Sequence, residues 1–190
     1  NENDNCRLLD AGAGIGSLSA AFLDRWTSGG FRFHRIKLDA FEIDNFLKAY
    51  LTQALKKYVA YPGFNLTIKS TDFIHTAADY LSGGLFVENL PKYTHAILNP
   101  PYKKIRSNSD HRAALRQVGI ETVNLYSAFV ALSLLLLDTK GQLVAIIPRS
   151  FCNGLYYRPF RNFIIKRAAI RQVHLFKSRN KAFKDDDVLQ

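Results

Sequence analysis

A chain of 190 residues with 47% hydrophobic and 22% charged residues has the size and apolar content of one folded domain around a single core, which excludes intrinsic disorder. Lysine and arginine number 26 against 16 aspartate and glutamate, a net charge of +10, and that balance points to a polyanionic partner, although ribosomal and other basic proteins share it. Cys6 and Cys152 make no CxxC pair, so no disulfide framework is implied and both are expected as buried thiols of a cytoplasmic protein.

Cys6 to Ala11 (CRLLDA) is a short apolar run closed by Gly12-Ala13-Gly14-Ile15-Gly16, and helical spacing follows over Ser17 to Trp26. This predicts a strand, a glycine turn and a helix. A second strand is predicted at Arg35 to Ile43, then a helix from Asn45 to about Tyr58, a third strand at Asn65 to Ser70 and a fourth at Thr94 to Leu98. A buried helix over Glu121 to Leu137 precedes a fifth strand at Gln142 to Ile147. A helix near Tyr157 to Ala168 then leads to a sixth strand at Ile170 to Phe176. The run LYSAFVALSLLLL inside the buried helix is too short for a bilayer, which needs about 20 apolar residues. No signal-peptide pattern stands at the N-terminus. No methionine occurs anywhere, so the chain is expected to begin inside a longer translated protein.

Strands alternating with helices predict an α/β fold with a mostly parallel twisted sheet covered on both faces, a single domain over residues 1–190. Ligands in such folds bind beyond the carboxyl ends of the strands. The suggestive residues all fall there. No two of His34, His75, His95, His111 and His174 are three or four residues apart, so no metal site is expected.

Asp10 stands immediately before the glycine turn, where Gly12, Gly14 and Gly16 let backbone amides approach an anionic group. The spacing is GxGxG, with Ser17 where a dinucleotide fingerprint has its third glycine, and that weakens a dehydrogenase reading. Asp10 suits the cationic amine of an amino acid; a turn that is merely tight is the alternative. Glu42, at the end of the second strand, can accept both hydroxyls of a ribose, with Ile43 against the face of an adenine. A solvated acidic strand end with Asp39 and Asp44 is the other reading, and Asp44 equally suits the N-cap of the next helix. Asp72 and Phe73 close the third strand similarly, the carboxylate suited to an adenine amino group and the ring to its face.

Asn99-Pro100-Pro101-Tyr102 follows the fourth strand. An exocyclic amine on a base is a poor nucleophile, because its lone pair is delocalised into the ring. The Asn99 side-chain oxygen and the Pro100 carbonyl could each accept one of its N–H bonds and orient it toward an electrophilic methyl. Pro101 helps fix that carbonyl, and Tyr102 would stack on the base for roughly 1–3 kcal/mol. Five lysines or arginines against one aspartate follow between Lys103 and Arg116, among them Lys104 and Arg106, and ten with no acidic residue lie between Arg149 and Lys184. Such surfaces suit phosphate contacts, a solvated basic face being the alternative.

The order DAGAGIG, FEID, STDF and NPPY resembles the amino-methyltransferases that use S-adenosylmethionine. NPPYKKI followed by NLYSAFVALSLLLLDTKGQLVAIIPRSF resembles, more narrowly, the adenine-specific DNA methyltransferases of restriction-modification systems. That resemblance covers essentially the whole chain. It implies a Rossmann-like class I methyltransferase fold, truncated near the last strand, and S-adenosylmethionine as cofactor. The implied reaction is methyl transfer to N6 of an adenine flipped out of duplex DNA, with Phe183 of NKAFKDDD as a second aromatic on the flipped base. A cofactor-covering segment before residue 1 and a target-recognition domain after residue 190 are expected in the parent protein; a restriction subunit or a fused nuclease would suit such a system, but no residue here speaks to either. Glutamine methyltransferases acting on release factors share NPPY, so a glutamine or RNA methyltransferase is the alternative enzyme. A non-catalytic nucleic-acid-binding scaffold is the alternative outside catalysis.

Overall fold

The computed structural model describes residues 5–83 and 90–176. Phe183 lies outside them. Five strands, β1 (Asn5–Ala11), β2 (Arg35–Phe41), β3 (Phe64–Lys69), β4 (Tyr93–Leu98) and β5 (Leu137–Ala145), form one sheet in the order β3-β2-β1-β4-β5. Every pairing is parallel. All carboxyl ends therefore share one edge, and β1 lies at the point where the strand order reverses.

Successive residues of a strand face opposite sides, and β1 shows the result. Leu8 joins a core layer with Leu23, Ile36, Leu38, Leu51, Leu55 and Tyr58, contributed by β2, α1 (Ser17–Thr27), α2 (Asn45–Leu55) and the short 3-10 turn Lys56–Tyr58. Its neighbour Leu9 joins a second layer with Phe41, Phe73, Phe129 and Leu132 beneath α3 (Phe73–Ser82) and α5 (Leu125–Leu136). Helices α4 (Asp110–Gln117) and α6 (Arg158–Arg167) pack onto that second side.

Local chemistry sets the helix starts. Asp44 accepts the Phe46 and Leu47 amides, which makes it the N-cap of α2, and Asp72 caps α3 by accepting the His75 amide. Ser109 does the same for α4. Capping by such side chains satisfies amides that have no partner within the helix.

The first four strands and the α6 helix fall where the sequence places them, with β2 ending at Phe41, so that Glu42, whose amide still donates to the Lys69 carbonyl, and Ile43 lie past the strand end. The buried helix begins at Leu125, because Asn124 bridges antiparallel to Lys104 and the Ile105 amide donates to the Val123 carbonyl. Strand β5 starts at Leu137, directly after α5. The expected sixth strand does not form: residues 168–176 make no ladder among the described residues, and Ile170, Val173, Leu175 and Phe176 are exposed. An apolar alternation specifies a strand only when a neighbouring backbone is there to pair with it. Cys6 is buried as expected, but Cys152 is exposed at the end of a short 3-10 turn, Arg149–Cys152. Among the described residues no helix is long and apolar enough to cross a membrane.

Candidate active site

The glycine turn is fastened to the end of the neighbouring strand. The Gly12 and Ala13 amides both donate to the Phe41 carbonyl, at 3.0 and 2.9 Å, which bends the chain sharply out of β1. Gly12 has φ +74°, and a Cβ there would stand 3.2 Å from Phe129 Cε1 and 3.8 Å from Pro101 Cδ. The glycine turn and the Asn99–Tyr102 segment, remote in sequence, thus meet at the ends of adjacent strands. Gly14, at φ +56°, has open space where its Cβ would be, leaving room for a ligand over the backbone.

Asp10 is 1% exposed. Its Oδ2 accepts from the Ser19 hydroxyl at 2.6 Å, while Oδ1, equally buried, has no hydrogen-bond partner. Burial pushes this carboxyl from its ordinary 3.8 up to about 7; the Ser19 bond pulls it back and the nearby Glu42 carboxylate adds to the rise. The folded protein therefore holds this proton more tightly than the unfolded chain. The stabilising contribution is complete below 3.8 and is lost as pH rises through about 7. Asp10→Asn, neutral at every pH, is expected to flatten that decline in urea denaturation midpoints measured across the window. A variant as pH-dependent as the native protein overturns the assignment.

Glu42 is 8% exposed and uses both oxygens on the loops around it. Oε2 accepts the Gly14 amide and Oε1 the Asp44 amide, each at 2.8 Å. Each oxygen keeps a further lone pair for a ligand hydroxyl. Ile43 beside it is 61% exposed, an apolar surface open to a flat ring.

Asp72 Oδ1 is committed to the His75 amide at 3.0 Å, and Oδ2 lies 2.9 Å from His111 Nε2. Phe73 is 3% exposed, its ring 5.1 Å from both Phe41 and Phe129. The structure places it within the core, beneath the site rather than across it.

At the end of β4, Asn99 is exposed and Pro100 buried. The Tyr102 hydroxyl lies 3.1 Å from Asn99 Oδ1 and 3.4 Å from the Ile146 carbonyl, so the tyrosine leans over the asparagine. Its ring stands edge-on to Tyr126, with centroids 6.3 Å apart. Pro101 faces the glycine turn.

Lys103, Lys104 and Arg106 are exposed beside this segment. Arg112 and Arg116, in the same basic run, are drawn to Glu121 instead, and Arg112 is 9% exposed. Further along, Arg161 donates to the Phe151 and Gly154 carbonyls, whereas Arg149, Arg158 and Lys166 are exposed.

Sequence reasoning missed several partners. Ser19 could have been suspected from its place in the first turn after Gly16. The Asp72–His75 spacing was also visible, but the approach of His111 depends on α4 packing against α3. Tyr157, which accepts from Asn124 Nδ2 at 3.1 Å and Ser150 Oγ at 3.4 Å, carries no local signal at all. Its phenol is held below the ordinary tyrosine range, chiefly by the Ser150 hydroxyl.

The fold is similar to a Listeria monocytogenes structure described as a class I S-adenosylmethionine-dependent methyltransferase, with a TM-score of 0.62 and 13% identity over 87% of this chain and 46% of that one. It is also similar to the methyltransferase subunit of a type I restriction-modification system from Streptococcus thermophilus, with a TM-score of 0.61 and 15% identity over 85% of this chain and 33% of that one. The architecture is the Rossmann-like class I methyltransferase fold.

Residues 30–183 match the family described as Eco57I restriction-modification methylase. The chain is 52% identical to the type II methyltransferase M.BsuBI of Bacillus subtilis, covering 98% of this chain and 37% of that protein. To M.PstI of Providencia stuartii it is 43% identical, covering 96% and 36%. The chain belongs to the Eco57I restriction-modification methylase family, and it spans 37% and 36% of the length of these two relatives.

The cofactor of this class is S-adenosylmethionine, and the residues fit it. A buried carboxylate oxygen lacks a donor, the backbone above Gly14 is open, and a carboxylate is followed by an exposed apolar side chain at the end of β2.

Proposed function

We propose that this chain is the methyl-transferring core of an adenine-N6 DNA methyltransferase in a restriction-modification system. The observation that carries the reading is the meeting of the glycine turn and the Asn99–Tyr102 segment across β1 and β4, with Gly12 against Pro101. S-adenosylmethionine supplies a methyl made electrophilic by its sulfonium. Asp10 offers its unpaired oxygen to the cofactor's ammonium group, and Glu42 accepts the ribose hydroxyls. Ile43 packs on the adenine ring, and Asp72 accepts its amino group.

Asn99 Oδ1 and the Pro100 carbonyl accept the two N–H bonds of the target amine and aim its nitrogen at the methyl, so the main contribution is positioning. Tyr102 turns from Asn99 to stack on the extracted base, and its departure frees the amide oxygen for the amine. Extracting that base costs a few kcal/mol. Lys103, Lys104 and Arg106 meet the phosphates beside it and hold the strand in register. Phe183 is the proposed second aromatic on the base.

The basic surface and the family favour DNA over a protein glutamine, which the same grip would accommodate. The test offers methyl-labelled S-adenosylmethionine and, in turn, duplex DNA, a glutamine-containing peptide and RNA to the purified protein. Label is expected in N6-methyladenine of the duplex, with transfer weakening steeply as salt rises, because phosphate contacts release counterions. Label in glutamine or RNA with duplex DNA left unmodified overturns the proposal.

A further inference from the structure

Two helix starts bring three metal-binding side chains together. Asp72 caps α3 and His75 lies in its first turn, so the pair occupies one side of that helix end. His111, in the first turn of α4, completes the group from the other side. One ligand atom from each of the three lies within 4.8 Å of the other two. His111 Nε2 is already 2.9 Å from Asp72 Oδ2, and the two imidazole rings have centroids 4.8 Å apart. Ligand atoms of a tetrahedral zinc centre lie roughly 3.3 Å apart, given metal–ligand bonds near 2.0–2.1 Å. Side-chain rotation alone can close that difference, since the Asp72 and His111 side chains are 28% and 31% exposed and His75 is partly exposed as well.

We infer that Asp72, His75 and His111 form a site for a borderline divalent transition metal of the zinc, cobalt and nickel type, and that filling it competes with the cofactor for Asp72. Two imidazoles and one carboxylate select such metals over calcium or magnesium, which prefer all-oxygen shells. Three protein ligands leave the fourth position of a tetrahedral centre to water. The competition rests on the proposed role of Asp72 toward the cofactor's adenine. Oδ1 is turned to the helix cap, and a metal ion on Oδ2 neutralises the carboxylate and repels the partly positive amino hydrogens of the adenine. The site is therefore inhibitory, and His75 and His111 report on it without belonging to the methyl-transfer machinery.

The metal is tested first, without cofactor, by titrating cobalt(II) into the metal-free protein and following its visible d–d absorption. One equivalent is expected to bind and to be displaced by zinc. His75→Gln and His111→Gln are each expected to weaken binding by roughly tenfold or more, as loss of a ligand should. Native-like cobalt binding by both variants, or none by the native protein, overturns the site. The coupling is read separately by the dissociation constant of S-adenosylmethionine. With zinc at about ten times the native protein's dissociation constant for it, the cofactor's apparent constant is expected to rise roughly tenfold in the native protein and by no more than about twofold in His75→Gln. Linkage requires the cofactor to weaken zinc binding correspondingly. Bound metal with unaltered cofactor affinity overturns the competition. A metal-free protein that binds cobalt but no cofactor overturns the methyltransferase reading instead, so the two failures are distinct.

Discussion

Replacing Asn99 with alanine is expected to slow methyl transfer by about a hundredfold or more, the scale of losing a polar group aimed at the reacting centre, while cofactor affinity barely changes. Asn99 stands exposed at the end of β4, and its amide oxygen meets the Tyr102 hydroxyl. The glycine turn is secured from β2 and Glu42, so removing the amide leaves that half of the site intact. Single-turnover rates measured alongside equilibrium binding of S-adenosylmethionine separate the two effects. Parallel losses in rate and affinity would place Asn99 on the cofactor and remove it from the target grip.

Phe73→Ala is expected to cost about 3–5 kcal/mol of stability, the range for deleting a buried aromatic ring, against a typical total of about 5–15 kcal/mol. The ring is 3% exposed between Phe41 and Phe129. Its loss opens a void under the junction of β2, α3 and α5. Phe73→Leu keeps most of the volume and should cost less than about 1.5 kcal/mol. Urea denaturation distinguishes this role from that of a ring whose main partner is the cofactor. In the latter case Phe73→Ala would leave the midpoint in place and alter cofactor binding alone.

The glycine turn, the acids at the strand ends and the Asn99–Tyr102 segment were all legible in the sequence, because each is a short local pattern whose chemistry does not depend on distant residues. The strand alternation likewise implied the parallel sheet. What was hidden depends on tertiary contact. Arg112 and Arg116 read as part of a phosphate-binding run, yet Glu121 lies close enough to take both. Phe73 follows an acid at a strand end, and nothing local tells a ring that covers a ligand from one that fills the core below it. Residues 170–176 alternate like a strand, but the pattern carries no information about whether a partner edge is within reach. The histidines, judged by their spacing from one another, gave no cluster. His75 is related to Asp72 by one helical turn, and His111 joins them only through helix packing.

The position of β1 also shapes the order in which the molecule can be assembled. Leu8 pairs with Leu38 on one side and His95 on the other, and the Arg7 amide reaches Thr94, 87 residues away in the chain. During synthesis the first three strands and their connecting helices emerge before β4 exists, so the glycine loop and its Glu42 brace can close early through comparatively short crossovers. Docking β4 must then bridge a much longer stretch of chain, and contacts of such sequence separation are the slow ones in folding. The glycine turn with its Glu42 brace can thus form early, whereas the Asn99–Tyr102 segment takes its place only after the most distant central pairing is made. Folding that stalls between these steps would leave β1 as an open apolar edge, the kind of intermediate that aggregates or recruits a chaperone.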